Sequence, residues 1–219
     1  MGQIFSPAAD TWLQLFLLGI VSLAAGSVVF AIGLAHSDWV TGARIHPPAQ
    51  PVPFSHRHHA GDLGIDCTYC HTSVAEGPHA GLPPTYTCMT CHSQIWTGAP
   101  MLAPVRTSLA ENKPLDWNRV AVLPEYVFFR HDIHIAKGVG CVECHGRVDK
   151  MALTYRAKPL TMQFCLDCHR NPAPHLRPED QITNMAWTPP GDGKAEGRAL
   201  LKHYGIRLGE ITHCYVCHR

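Results

Sequence analysis

The sequence predicts a mostly irregular and α-helical domain carried on a single N-terminal transmembrane helix. Three observations predict it. Trp12 to Ala35 contains no charged residue. The chain as a whole holds 18 prolines and 18 glycines and only 16% charged residues, and beyond the apolar run it has no stretch of strand-like alternation. All ten cysteines fall in five copies of one short motif, Cys-x-x-Cys-His.

The apolar run comes first in the chain. As a helix it is about 36 Å long, against a hydrocarbon core of about 30 Å. Trp12 and Trp39 flank it, where indoles favour the membrane interface. Gly19, Gly26 and Gly33 share one side, a stripe able to receive a neighbouring membrane helix closely. A cleaved signal peptide is the alternative, but its apolar part is shorter and follows positive charge. No Lys or Arg precedes Arg44, so the segment is expected to stay in the mature protein as an anchor. Residues 1–39 are therefore the expected anchor. Residues 40–53, with Pro47, Pro48, Pro51 and Pro53, read as an extended linker.

The motifs are Cys67-Thr-Tyr-Cys70-His71, Cys88-Met-Thr-Cys91-His92, Cys141-Val-Glu-Cys144-His145, Cys165-Leu-Asp-Cys168-His169 and Cys214-Tyr-Val-Cys217-His218. This pattern attaches c-type haem: the two thiols form thioethers to the porphyrin, and the adjacent imidazole binds the iron. Cys67, Cys70, Cys88, Cys91, Cys141, Cys144, Cys165, Cys168, Cys214 and Cys217 are thus the expected haem attachments. His71, His92, His145, His169 and His218 are the expected proximal ligands. Paired Cys-x-x-Cys also reads as a zinc ribbon, and ten cysteines could make disulfides. Neither alternative requires a His after every second Cys. A thioredoxin-type motif would be a single copy near a βαβ pattern. The expected cofactor content is five covalently bound haem c, which would supply much of the apolar interior as a haem-nucleated core.

A second pattern appears twice. Phe54-x-His56-x-x-His59 precedes Gly64-Ile-Asp-Cys67, and Phe129-x-His131-x-x-His134 precedes Gly138-Val-Gly-Cys141. Each copy is followed by a second haem motif, with first cysteines at 67 and 88, then 141 and 165. Residues 54–219 therefore read as one pentahaem domain. It holds dihaem modules near 54–100 and 127–172, with the fifth haem at 214–218. Histidines three apart on a helix project to neighbouring sides, so one such pair can serve two irons. His56, His59, His131 and His134 are the expected distal ligands. His58 breaks the register. The fifth iron is left with methionine candidates, Met151 or Met162. A short helix is expected over Ala195 to Tyr204. No residue is assigned a catalytic role, and the net charge of +1 gives no case for nucleic acid.

The Phe-x-His-x-x-His and Cys-x-x-Cys-His combination resembles the class III multihaem cytochromes c. The resemblance implies that the first His of each pair binds the haem that follows and the second a different haem. A closer likeness lies in Pro53-Phe-Ser-His56, Cys88-Met-Thr-Cys-His92-Ser-Gln-Ile-Trp96, Pro104-Val-Arg106 and Cys141-Val-Glu-Cys-His145-Gly. With the N-terminal helix and five motifs, these stretches are similar to the pentahaem cytochrome subunits of alternative complex III. Some members of that group are lipid-anchored, whereas this chain has no N-terminal lipobox Cys. The resemblance implies an electron-transfer subunit of a membrane quinol:electron acceptor oxidoreductase. Its implied partners are an iron–sulfur subunit, polytopic quinol-binding membrane subunits and a monohaem cytochrome c. The implied acceptor is a soluble cytochrome c, a blue copper protein or an oxidase. Because c-type haem is attached outside the cytoplasm, the chain is expected as a single-pass protein of the bacterial cytoplasmic membrane, with its haem domain on the periplasmic side. Two other classes fit the motifs: a stand-alone membrane-anchored multihaem quinol dehydrogenase, and a multihaem reductase with one open iron.

Overall fold

The computed structural model describes residues 7–35, 37 and 46–219. His36, Trp39, Arg44 and residues 40–45 of the expected linker lie outside the described residues. The chain divides into two compact units, Met1–Gly42 and Ala43–Arg219.

The first unit is helix α1, Pro7–Ala35, of 29 residues. At 1.5 Å per residue it is about 43 Å long, enough to cross a bilayer with some tilt. Asp10 sits in the first turn, where its charge favours the helix N-terminus, and it accepts a hydrogen bond from Gln14 Nε2 at 3.3 Å. Ser27 donates back to the Leu23 carbonyl at 2.8 Å, which satisfies the hydroxyl within the helix. The helix buries none of its side chains, and its length and apolar character make it a candidate membrane anchor.

The second unit is built from short helices. They are α2 (Cys67–Cys70), α3 (Thr85–His92), α4 (Ala103–Ala110), α5 (His131–Ala136), α6 (Cys141–His145), α7 (Met162–Arg170), α8 (Lys194–His203) and α9 (Cys214–Cys217), with a π-helical turn at Arg57–Asp62. No strand occurs among the described residues; an isolated antiparallel bridge joins Val139 and Leu176. The helix expected over Ala195 to Tyr204 is α8. Each haem motif lies on a helix or a single helical turn, which sets its two cysteines about one turn apart on one side. Local chemistry starts these turns. Asp66 caps α2 by accepting the Thr68 N–H at 2.8 Å, and Thr161 caps α7 by accepting the Phe164 N–H at 3.3 Å.

The glycine of each sequence repeat ends the histidine-bearing turn. Gly64 and Gly138 lie in the left-handed region, at φ 68° and 75°. That conformation redirects the chain into the following cysteine helix, and L-residues with a Cβ adopt it at a cost.

Protein packing alone is thin. Among the described residues the buried apolar side chains are Val52, Leu102, Val105, Met151, Leu176 and Ile182. Val52, Leu102 and Val105 cluster, with Cys88, Met89, Leu115 and Trp117 against them. Gln50 and Asn118 tie the end of the Pro-rich segment to this cluster: Gln50 Nε2 donates to the Asn118 carbonyl at 2.7 Å, and the Asn118 N–H donates to Gln50 Oε1 at 3.0 Å.

Candidate haem sites

Four imidazole pairs stand at nearly one separation. The ring centroids are 6.5 Å apart for His56 and His71, 6.2 Å for His59 and His92, 6.3 Å for His131 and His145, and 6.1 Å for His134 and His169. Those distances are too long for ring stacking contact. Two metal–imidazole bonds of about 2 Å plus two centroid-to-nitrogen distances of about 1.1 Å give about 6.2 Å. Each pair therefore leaves room for one iron between its rings. Each joins one His of a Cys-x-x-Cys-His motif to one His of a Phe-x-His-x-x-His repeat. The rings of His56 and His71 are within 4° of parallel, and those of His131 and His145 within 6°.

The repeat explains how the first partner is aimed. Phe54 meets His56 edge-on at 4.9 Å and stacks on His59 at 4.4 Å. Phe129 does the same to His131 at 4.7 Å and to His134 at 4.5 Å. One aromatic ring thus wedges between two imidazoles and splays them toward different sites. His59 Nδ1 and His134 Nδ1 each bond the carbonyl four residues back, Ser55 at 2.9 Å and Arg130 at 2.6 Å. A carbonyl only accepts, so Nδ1 must carry the proton in each case.

Carbonyls fix other rings in the same way. Nδ1 of His71 faces Gly81 O at 2.8 Å, His131 faces Pro78 O at 2.8 Å, His169 faces Ile211 O at 2.6 Å and His218 faces Tyr126 O at 3.1 Å. Such bonds to the far ring nitrogen set the tautomer, leave the Nε2 lone pair for the metal and raise ligand basicity. The bond from His92 to the Ile95 carbonyl is longer, at 3.4 Å. His56 Nδ1 meets the Thr154 hydroxyl at 2.7 Å. Burial pushes His56 and His145 down to about 4, and neighbouring imidazoles push both further the same way. Burial also lowers His134. These rings are therefore neutral at pH 7, the form that binds iron.

The fifth motif differs. No described imidazole pairs with His218 at such a distance; the ring beside it is Tyr126, at 5.9 Å. Met151 is 4% exposed, and its carbonyl accepts the Arg57 N–H at 2.9 Å, which ties it beneath the His56 turn. Met162 starts α7 and is 65% exposed. His58, between the paired histidines, points instead to Asp62 at 3.8 Å.

Sequence reasoning missed one cluster. Arg177, 3% exposed, donates to Glu143 Oε1 at 2.9 Å and to the Asn184 carbonyl at 3.0 Å, with Trp187 stacked 5.0 Å from its guanidinium. His175 Nδ1 donates to Glu143 Oε2 at 2.7 Å. Burial would raise the Glu143 carboxyl, but the His175 bond and the Arg177 charge outweigh it and hold it below its ordinary value. Glu143 lies inside the third haem motif, so this network braces that turn. Glu143 lies more than 30 residues from both His175 and Arg177, and no local pattern announces the contact.

The alternatives to haem lack their geometry. Among the described residues no three His, Cys, Asp or Glu side chains converge on a metal-binding point, as a zinc ribbon requires. No disulfide joins any of the ten cysteines. Against known proteins, the chain is 37% identical over 176 residues to the menaquinone reductase multihaem cytochrome c subunit of Nitratidesulfovibrio vulgaris, covering 78% of this chain and 77% of that one. The chain belongs to the multihaem cytochrome c family. No protein-family model matches the sequence. As a multihaem cytochrome c, the protein carries covalently bound c-type haem, and its apolar helix is a candidate anchor in a quinone-linked membrane complex.

Proposed function

We propose that this chain is the pentahaem electron-transfer subunit of a membrane quinol:electron acceptor oxidoreductase of the alternative complex III kind. The observation that carries the reading is the set of four imidazole pairs at 6.1–6.5 Å, each joining a motif histidine to a repeat histidine. The fifth haem is held by Cys214, Cys217 and His218, with Met162 or Met151 as its candidate distal ligand; Met162 lies on the helix of the adjoining fourth motif, whereas Met151 is tied to the His56 turn. A bound haem takes up and releases one electron at its iron without bond chemistry on the protein. The chain's own part is to supply the axial imidazoles and to fix the tautomers of most of them through carbonyls. The haems also complete the thin core of the domain.

The reading assigns the quinol site to polytopic partner subunits and the onward path to an iron–sulfur subunit and a monohaem cytochrome c. A soluble cytochrome c, a blue copper protein or an oxidase is the acceptor. The anchor crosses the bacterial cytoplasmic membrane with Met1 inside and the haem domain in the periplasm, because thioether attachment occurs there. Protease added to intact spheroplasts should cut the haem domain; protection would reverse this orientation.

Quinol oxidation releases protons, so its site needs a proton acceptor in an enclosed pocket. Helix α1 carries no ionisable residue from Trp12 to Ala35, and groups of that kind inside the bilayer are the usual sign of such a site. The purified holoprotein alone should therefore accept electrons from small reductants but show no saturable quinol oxidation. The assembled complex should reduce these haems with quinol. Sustained quinol turnover by the isolated chain would favour a stand-alone dehydrogenase. The relative's name supports a second reading, in which electrons run the other way, onto menaquinone. Reduction of menaquinone by the complex, with no oxidation of quinol, would select it.

A further inference from the structure

We infer that the five haem sites stand in a single file whose spatial order differs from the sequence order: second motif, first, third, fourth, fifth. The inference rests on the pentahaem reading. It makes the sites at Cys88/Cys91 and Cys214/Cys217 the two ends, where redox partners meet the chain.

Each link has its own contacts. The first two motifs are joined by one turn, since His56 faces His71 and His59 faces His92. Tyr69 Oη and Thr90 Oγ1, inside those motifs, are 3.0 Å apart. The first motif, not the second, then meets the third. Thr183 donates to Asp66, beside Cys67, at 2.7 Å, and the adjacent Ile182 carbonyl accepts the Cys141 N–H at 3.1 Å. The loop after the first motif supplies Pro78 O, which accepts both the His131 N–H at 3.2 Å and its Nδ1–H at 2.8 Å.

Helix α5 joins the third and fourth motifs, with His131 facing His145 and His134 facing His169. His169 donates to the Ile211 carbonyl at 2.6 Å, three residues before Cys214, which links the fourth to the fifth. The second motif packs away from this file. Cys88 and Met89 lie against the Val52–Leu102–Val105 cluster, and Thr85 at the start of its helix bonds Ser108 of α4 at 2.6 Å.

The test uses the holoprotein after intact mass has counted its haems. His56→Met and His59→Met each raise the potential of one site, since Met ligation favours the reduced iron. That site then reduces first in an EPR-monitored titration, and loss of its paramagnetism perturbs its spatial neighbours. In His56→Met the reduction should alter two other low-spin signals; in His59→Met it should alter one. The reverse counts, one for His56→Met and two for His59→Met, would restore the sequence order. Should either variant lose haem, iron positions from a cryo-EM map of the unsubstituted complex decide the same point. The iron held by His71 should have the irons of His92 and His145 as its neighbours. An iron of His92 nearer to that of His145 than the His71 iron is would overturn the order. A haem count below five would instead strike the pentahaem reading and leave the order of the remaining sites readable.

Discussion

Replacing His131 with alanine should turn one low-spin haem high-spin while leaving every thioether in place. His131 lies 6.3 Å from His145 with rings parallel within 6°, and its Nδ1 is tied to the Pro78 carbonyl. Removing the ring takes away a distal ligand without touching Cys141, Cys144 or His145, so attachment should survive. The ferric spectrum should gain a high-spin component from one site, and carbon monoxide should bind there after reduction. His58→Ala is the matched control. That ring is exposed and directed at Asp62, so its loss should leave the spectrum unchanged. A folded His131→Ala protein with an all-low-spin spectrum would remove His131 from the ligand set.

The second large effect is on stability. Gly64 and Gly138 hold equivalent places in the repeat and both have positive φ. A Cβ at Gly64 would meet nothing within 4 Å, so Gly64→Ala should cost only the left-handed backbone penalty, about 1–2 kcal/mol. At Gly138 the Cβ would also overlap the Tyr204 ring and lie 2.9 Å from the Arg177 carbonyl. Tyr204 cannot easily yield, because its hydroxyl donates to that same carbonyl at 2.9 Å. Overpacking adds about 1–3 kcal/mol, so Gly138→Ala should cost about 2–5 kcal/mol. Denaturant unfolding of the two holoprotein variants checks the difference. Equal losses would mean that Tyr204 does not constrain the turn.

What the sequence made legible was short-range. Cys-x-x-Cys-His spans five residues, and Phe-x-His-x-x-His six, so both can be read as patterns. The geometry repeats with the same members: Phe54 sits on its two histidines as Phe129 sits on His131 and His134. Helix α1 was legible from an uncharged run, and α8 from its local pattern. The rest depends on chain reversals that no window contains. The carbonyls that orient His131 and His169 come from Pro78 and Ile211, 53 and 42 residues away. The brace around Glu143 draws His175 and Arg177 from beyond the next haem motif. The contact of the first motif with the third, past the second, has no sequence signature, because each copy reads alike. For the fifth iron the sequence leaves two methionines. The structure ties Met151 into the packing and leaves Met162 exposed, a distinction of burial that composition does not carry.

The central claim is that all five motifs carry haem. Intact-mass measurement of the purified holoprotein tests it most directly. One species with five covalently attached haems and no free thiol among the ten cysteines is expected. A mass corresponding to fewer haems, with unreacted cysteines or bound zinc in any motif, would contradict it.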